Sequence, residues 1–189
     1  MHYLVMVVGD NVEDQLEPFY QDLEVDEYEV DVVDDSEKER MLDFYANKGE
    51  QYKSFEECYE ARGEDWNCNR YRKDSDGVWR EYSTYNPNAE WDWYEIGGRW
   101  AGQIRIKDGV EYEKPSFSWG WPEEEKKKVL AERRTDTALL KDIENVEELS
   151  CYALLMDGEW NSDINNDELK RVLKSLSQDT RITFVDCHM

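Results

Sequence analysis

Basic residues are scarce in this chain, and that scarcity excludes the most. Forty-six acidic side chains face twenty-three basic ones over 189 residues, a formal net charge of −23. Such a chain repels nucleic-acid phosphates and anionic membranes alike. Histidine is scarcer still, with only His2 and His188. The four cysteines, Cys58, Cys68, Cys151 and Cys187, form neither a CxxC pair nor an even framework, so a disulfide scaffold is excluded. Proline occurs four times and glycine ten, and no stretch is rich enough in them to divide the chain. No apolar run approaches a membrane span, and the opening "MHYLVMVVGDN" lacks the basic start and long apolar core of a secretion signal. A cytoplasmic protein with reduced thiols is the expectation. Phosphate-loop, nucleophile-elbow and zinc-protease patterns are missing too.

What the chain has is aromatic surface and acid. Aromatics make up 13% of residues, with eight tryptophans and twelve tyrosines, enough to build a core and to exclude pure disorder. The length suits one compact domain over residues 1–189. The acid is uneven. Residues 1–62 hold nineteen acidic and five basic residues, and residues 21–37 alone hold nine acidic and no basic ones. Asp22, Glu24, Asp26, Glu27, Glu29, Asp31, Asp34 and Asp35 form that acidic face, either as an extended arm or as a poorly paired edge segment. A basic protein surface is its natural partner; solubility alone is the plainer reading. Asp31, Asp34 and Asp35 lack calcium-loop spacing, and no metal or cofactor is expected.

Periodicity gives the elements. "HYLVMVVGD" reads as a buried strand, and "NVEDQLEPFY" as a short helix stopping before Pro18. Ser36 with Glu39, closed by Gly49, and Ser54 with Glu57, closed by Gly63, mark two capped helices. Asp-Gly pairs at 76–77, 108–109 and 157–158 mark tight turns, and "QIRIK-DG-VEYE" is the best hairpin among them. A helix opens at Pro122. "LSCYALLMDG" is a strand, residues 165–179 form an amphipathic helix with Leu169, Val172, Leu173 and Leu176 inward, and "TRITFVDCHM" closes as a strand. The order predicts an α+β domain, a mostly antiparallel sheet with helices packed on one side.

The stretch "NPNAEWDWYEIGGRW" stands apart. Extended, it points Trp91, Trp93 and Glu95 to one face and Asp92 and Tyr94 to the other. Gly97 and Gly98 allow a bend that brings Arg99 and Trp100 back to the strand. Two glycine amides beside an arginine make an anion nest, and the rings make a stacking platform for a nucleotide-like ligand. The same residues fit an interface hot spot. Burial of the tryptophans, with Arg99 paired to Asp92 or Glu95, is the third alternative.

"STYNPNAEWDWYEIGGRW", with the opening "HYLVMVVGDNVEDQLEPF" and the closing "ITFVDCH", resembles a family of uncharacterised proteins of tailed-phage genomes and prophages, marked by WDWYxxGGRW and a C-terminal DCH. The resemblance covers both ends and the middle. It implies a phage origin and a role in host takeover or counter-defence, within the host cytoplasm. It carries no catalytic residues.

Cys187 beside His188 suggests a nucleophile with a base, but neighbours on a strand point to opposite faces. If the first and last strands are neighbours, His2 and His188 converge with Cys187. A metal set of Cys58, Cys68, Cys187 and His188 lacks the usual short spacing. The expected function is therefore binding rather than catalysis: a phage-type accessory protein whose acidic face mimics nucleic acid and occupies a basic groove on a host protein. The alternative is a nucleotide-like small-molecule binder or enzyme using Trp91, Trp93, Arg99 and Trp100.

Overall fold

The computed structural model describes residues 1–62 and 71–189. Gly63, Cys68 and the start of the turn-rich stretch from 63 lie outside the described residues. In chain order the elements are β1 (His2–Val8), α1 (Val12–Leu16), β2 (Tyr28–Val32), α2 (Asp35–Ala46), α3 (Phe55–Arg62), β3 (Tyr71–Lys73), β4 (Trp79–Ser83) and β5 (Trp93–Ile96). They continue as β6 (Ile104–Arg105), α4 (Glu123–Ala131), β7 (Arg134–Thr135), β8 (Thr137–Leu139), β9 (Ala153–Met156), β10 (Glu159–Asn161), α5 (Asn166–Ser175) and β11 (Arg181–His188). The fold is α+β and its sheets are largely antiparallel. The chain gathers into two compact units, residues 1–23 with 86–189, and residues 24–85.

The first unit is built on a sheet ordered β10-β9-β1-β11-β5, with β8 also on β11. Only β1 and β9 run parallel. The central pair is covered on both faces, which explains two near-continuous apolar strands in a polar chain. Leu4, Met6, Val8, Ile182 and Phe184 point one way and meet Leu169 and Leu173 of α5. Val5, Val7, Val185 and Cys187 point the other way and meet Leu16, Phe19 and Trp91. Burying Leu169 and Leu173, each 1% exposed, contributes roughly 2 kcal/mol apiece. Asn165 starts α5 by accepting from the amides of Asp167 and Glu168.

The second unit orders its strands β2-β4-β3. Val33, Met41, Tyr45, Phe55, Cys58 and Tyr71 form its core. The acidic run supplies β2, an edge strand, so the edge alternative is the one realised. α2 begins earlier than its capping signal suggested. Asp34, not Ser36, caps it, accepting the Glu37 amide at 2.8 Å; aspartate and serine cap equally well, and Val33 must enter the core just before the cap. The second signal holds, with the Glu57 amide donating to Ser54 Oγ at 3.2 Å.

Asp-Gly 76–77 and 157–158 do turn hairpins, joining β3 to β4 and β9 to β10. Asp-Gly 108–109 does not. β6 pairs instead with β7, and Ile106 bridges to Ile143. Ile104 and Ile106 are both needed in the core beside α5, and that burial outweighs a local hairpin. No helix among the described residues is long and apolar enough to cross a membrane.

Candidate functional site

Three strands far apart in sequence, β1, β11 and β5, bring the two histidines together. In the antiparallel register His2 lies opposite His188, and His188 opposite Trp93. One step inward, Leu4, Asp186 and Glu95 form the next row on the same face. The rings of His2 and His188 are 4.8 Å apart, centre to centre, and Trp93 lies edge-on to His2 at 5.9 Å. Nδ1 of His2 lies 2.8 Å from Oδ1 of Asp186, and Nδ1 of His188 lies 2.8 Å from Oδ1 of Asp92. A carboxylate only accepts, so each Nδ1 carries the proton and donates it. Each Nε2 is left without a hydrogen-bond partner among the described residues. The His2 and His188 side chains stay 22% and 39% exposed.

Asp186 is fully buried. Its second oxygen, Oδ2, accepts the Arg99 amide at 3.0 Å. The contact is possible only because the residue before Arg99 is a glycine. Gly98 has φ 56°, and a Cβ there would sit 2.7 Å from the Cβ and Oδ2 of Asp186. Gly97 has φ 75°, and a Cβ there would run into the carboxylate of Asp136. Asp136 is also buried, 4% exposed, and accepts the amides of Gly102 and Ser116, both at 2.6 Å. The expected anion nest of two glycine amides is not formed: the one carboxylate bonded at this turn is the protein's own Asp186, and it is the Arg99 amide that donates to it. Gly97 N donates to Phe184 O and Gly98 N to Ser116 O, so no amide of this turn is left for a ligand.

Charge at this face is internally committed. Asp92 titrates below its ordinary range, mainly through the hydrogen bond from His188. Glu95 titrates above its range, through burial and then the nearby Asp186 and Asp136. Burial also raises Asp136, against the pull of its two amide donors. Arg99 is exposed, and its guanidinium has no carboxylate partner among the described residues. The pairing of Arg99 with Asp92 or Glu95 is not formed, because Asp92 is taken by His188.

The aromatic stretch splits. A bend at Asp92 breaks the alternation, so Trp91 and Trp93 do not share a face. Trp91 is 8% exposed, packs edge-on to Tyr94 at 4.9 Å, and donates from Nε1 to Leu16 O at 2.9 Å. It belongs to the core. Trp93 is 46% exposed. Tyr94 is half-buried on the Cys187 side of the sheet, and Trp100 is half-buried against the α5 cluster. Cys187 is sealed in the face opposite both histidines, and burial raises its thiol far above the ordinary range. His2 and His188 therefore meet without it. Cys58 lies in the second unit's core. Among the described residues, no three His, Cys, Asp or Glu side chains gather to hold a metal. A cavity of about 580 Å³ opens on the Cys187 side, lined by Ile96, Ser116, Asp136, Thr137 and Arg181 among others; none of the singled-out rings lines it.

The acidic residues are all exposed: Asp22 in the first unit, and Glu24, Asp26, Glu27, Glu29, Asp31, Asp34 and Asp35 in the second. Several are already partnered. Glu27 pairs with Arg72, Glu29 with Arg80, Asp35 with Lys38, and Asp34 caps α2.

Sequence reasoning missed the carboxylates that orient the site. Asp186 stood in the quoted DCH and Asp92 in the quoted WDWY, both beside more conspicuous residues. Asp136, between two threonines, gave no signal. No family model matches the chain, and no curated protein or solved structure matches it either.

Proposed function

We propose that the protein works through the His2–His188 face as a binder of an anionic, ring-bearing small molecule of the nucleotide class. The observation that carries this reading is the pair of part-exposed imidazoles against an exposed indole, with an exposed arginine whose amide is bonded to Asp186 and whose guanidinium has no carboxylate partner among the described residues. In a chain of net charge −23, a guanidinium without an ion pair among the described residues is available to a phosphate. Trp93 supplies a ring to stack on. In a phage protein within host cytoplasm, capturing such a ligand serves counter-defence. Titrating nucleotides and cyclic dinucleotides while following the melting temperature tests it. A binder raises the midpoint, and Arg99→Ala removes the rise without lowering the midpoint of the free protein, since the exposed Arg99 side chain makes no hydrogen bond or ion pair among the described residues. A panel with no shift removes the reading.

A second reading has its own observation. β2 is an exposed edge strand, with Val30 and Val32 about half exposed among the acidic residues. A host protein with a basic surface fits that edge, as a nucleic-acid mimic requires. Glu27, Glu29 and Asp35 are held by Arg72, Arg80 and Lys38, and Glu24, Asp26 and Asp31, which have no ion pair among the described residues, are the charges to meet it. Affinity for such a partner drops steeply between 50 mM and 500 mM salt; a flat response counts against mimicry.

A further inference from the structure

We infer that His2 and His188 are an acid–base pair that opens ribonucleotide phosphodiesters. The inference rests on the ligand reading above and adds chemistry to it. Here two adjacent, part-exposed rings each have Nδ1 tied to a carboxylate and Nε2 without a hydrogen-bond partner among the described residues. A carboxylate on Nδ1 fixes the tautomer and orientation, and stabilises the imidazolium when Nε2 takes a proton. The buried Asp186 is itself held from the other side by the Arg99 amide, so the His2 ring is fixed on a rigid strand rather than a loop. At 4.8 Å between centres, the two rings lie within the span of one phosphodiester.

The reaction needs nothing beyond its substrate. A ribose 2′-hydroxyl loses its proton to Nε2 of one neutral imidazole while its oxygen bonds to the adjacent phosphorus. The P–O5′ bond breaks, and the leaving oxygen takes a proton from Nε2–H of the other imidazolium. The products are a 2′,3′-cyclic phosphate and a 5′-hydroxyl, and the two rings exchange protonation states and reset through solvent. The exposed Arg99, whose backbone is tied to Asp186, is assigned to the negative charge that gathers on the non-bridging oxygens, and Trp93 to stacking on a base. Repulsion of an anionic substrate is the obvious objection. It is met locally: Asp186 and Asp92 are each bonded to a histidine, and Glu95 is pushed toward its neutral form.

The experiment incubates the full chain, with a chelator present, with 3′,5′-linked ribonucleotides: linear dinucleotides and cyclic dinucleotides of each base. Products are read by chromatography and phosphorus NMR, and binding by calorimetry. The expected result is a 2′,3′-cyclic phosphate end from any ribonucleotide that binds, with the 2′-deoxy analogue bound but intact. His2→Asn and His188→Asn each slow cleavage by about a hundredfold or more while keeping affinity within a few-fold. Far-UV circular dichroism checks that each variant is folded, and a variant at the adjacent exposed Met189→Ala keeps the full rate. Ribonucleotides that bind and stay intact overturn the chemistry and leave the ligand reading standing. Cleavage unchanged in both histidine variants overturns the assignment. No binding across the panel overturns the ligand reading, and this inference with it.

Discussion

Two glycines decide whether the site exists. Gly97 and Gly98 hold positive φ, where any other residue costs about 1 kcal/mol or more. That cost alone does not separate them from Gly109, which also sits at positive φ, 80°, with open space around it. What separates them is the carboxylate against each backbone. Gly109→Ala is expected to lower stability by about 1 kcal/mol in urea unfolding. Gly97→Ala and Gly98→Ala meet buried Asp136 and Asp186, which cannot move without abandoning amide donors, and are expected to cost roughly 3 kcal/mol or more. Gly98→Ala further loosens Asp186 from the Arg99 amide, so the His2 imidazole should lose its fixed resonance position in NMR. Equal losses at all three glycines would show that only φ matters.

At the level of elements, the chain announces its central strands and its amphipathic helix and hides its short ones. β1 and β11 are apolar on both faces because both faces are covered, and α5 carries its leucines at helical spacing. Those signals are local and strong. β6, β7 and β8 are two or three residues long and owe their pairing to partners distant in sequence, so no window of residues displays them. The same limit applied at the site. Histidines and tryptophans were legible as candidates, but the meeting of β1, β5 and β11 is a long-range event, and so is the allotment of Asp186 to His2. α2 shows how near two caps can lie: Asp34 with Glu37 and Ser36 with Glu39 have identical spacing. Because Asp34 accepts the Glu37 amide, Asp34→Ala should cost about 1 kcal/mol. Ser36→Ala, whose hydroxyl donates only to Asp34, should cost at most a few tenths of that. Urea midpoints for the pair check the assignment, and the reverse order would return the cap to Ser36.

Across the whole molecule, excess negative charge and buried carboxyls push stability the same way with pH. At pH 7 a net charge of −23 repels itself within the folded chain. Glu95 and Asp136 titrate higher in the folded chain than in the unfolded one. Protons then bind preferentially to the folded state, so the stability these two lend is whole below their ordinary range and is lost as pH rises through their elevated values. Asp92, Glu132 and Glu147 work the other way, held down by His188, Arg134 and Lys174. Their stability is present above the ordinary range and is lost as pH falls through their depressed values. Asp76, pulled down to about 2 by Arg80, gives way last. From pH 8 downward the first set and the easing repulsion act before the second set fails. The urea midpoint should therefore rise between pH 8 and pH 5 and fall below pH 4. Salt isolates the repulsive part, because 0.5 M sodium chloride screens the net charge but leaves buried Asp136 largely untouched. In high salt the midpoint at pH 8 should climb toward the pH 5 value without reaching it, and the remaining gap should shrink in Asp136→Asn. A midpoint that falls steadily from pH 8 to pH 5 at low salt would mean that the paired, depressed carboxylates outweigh both the net charge and the two buried acids.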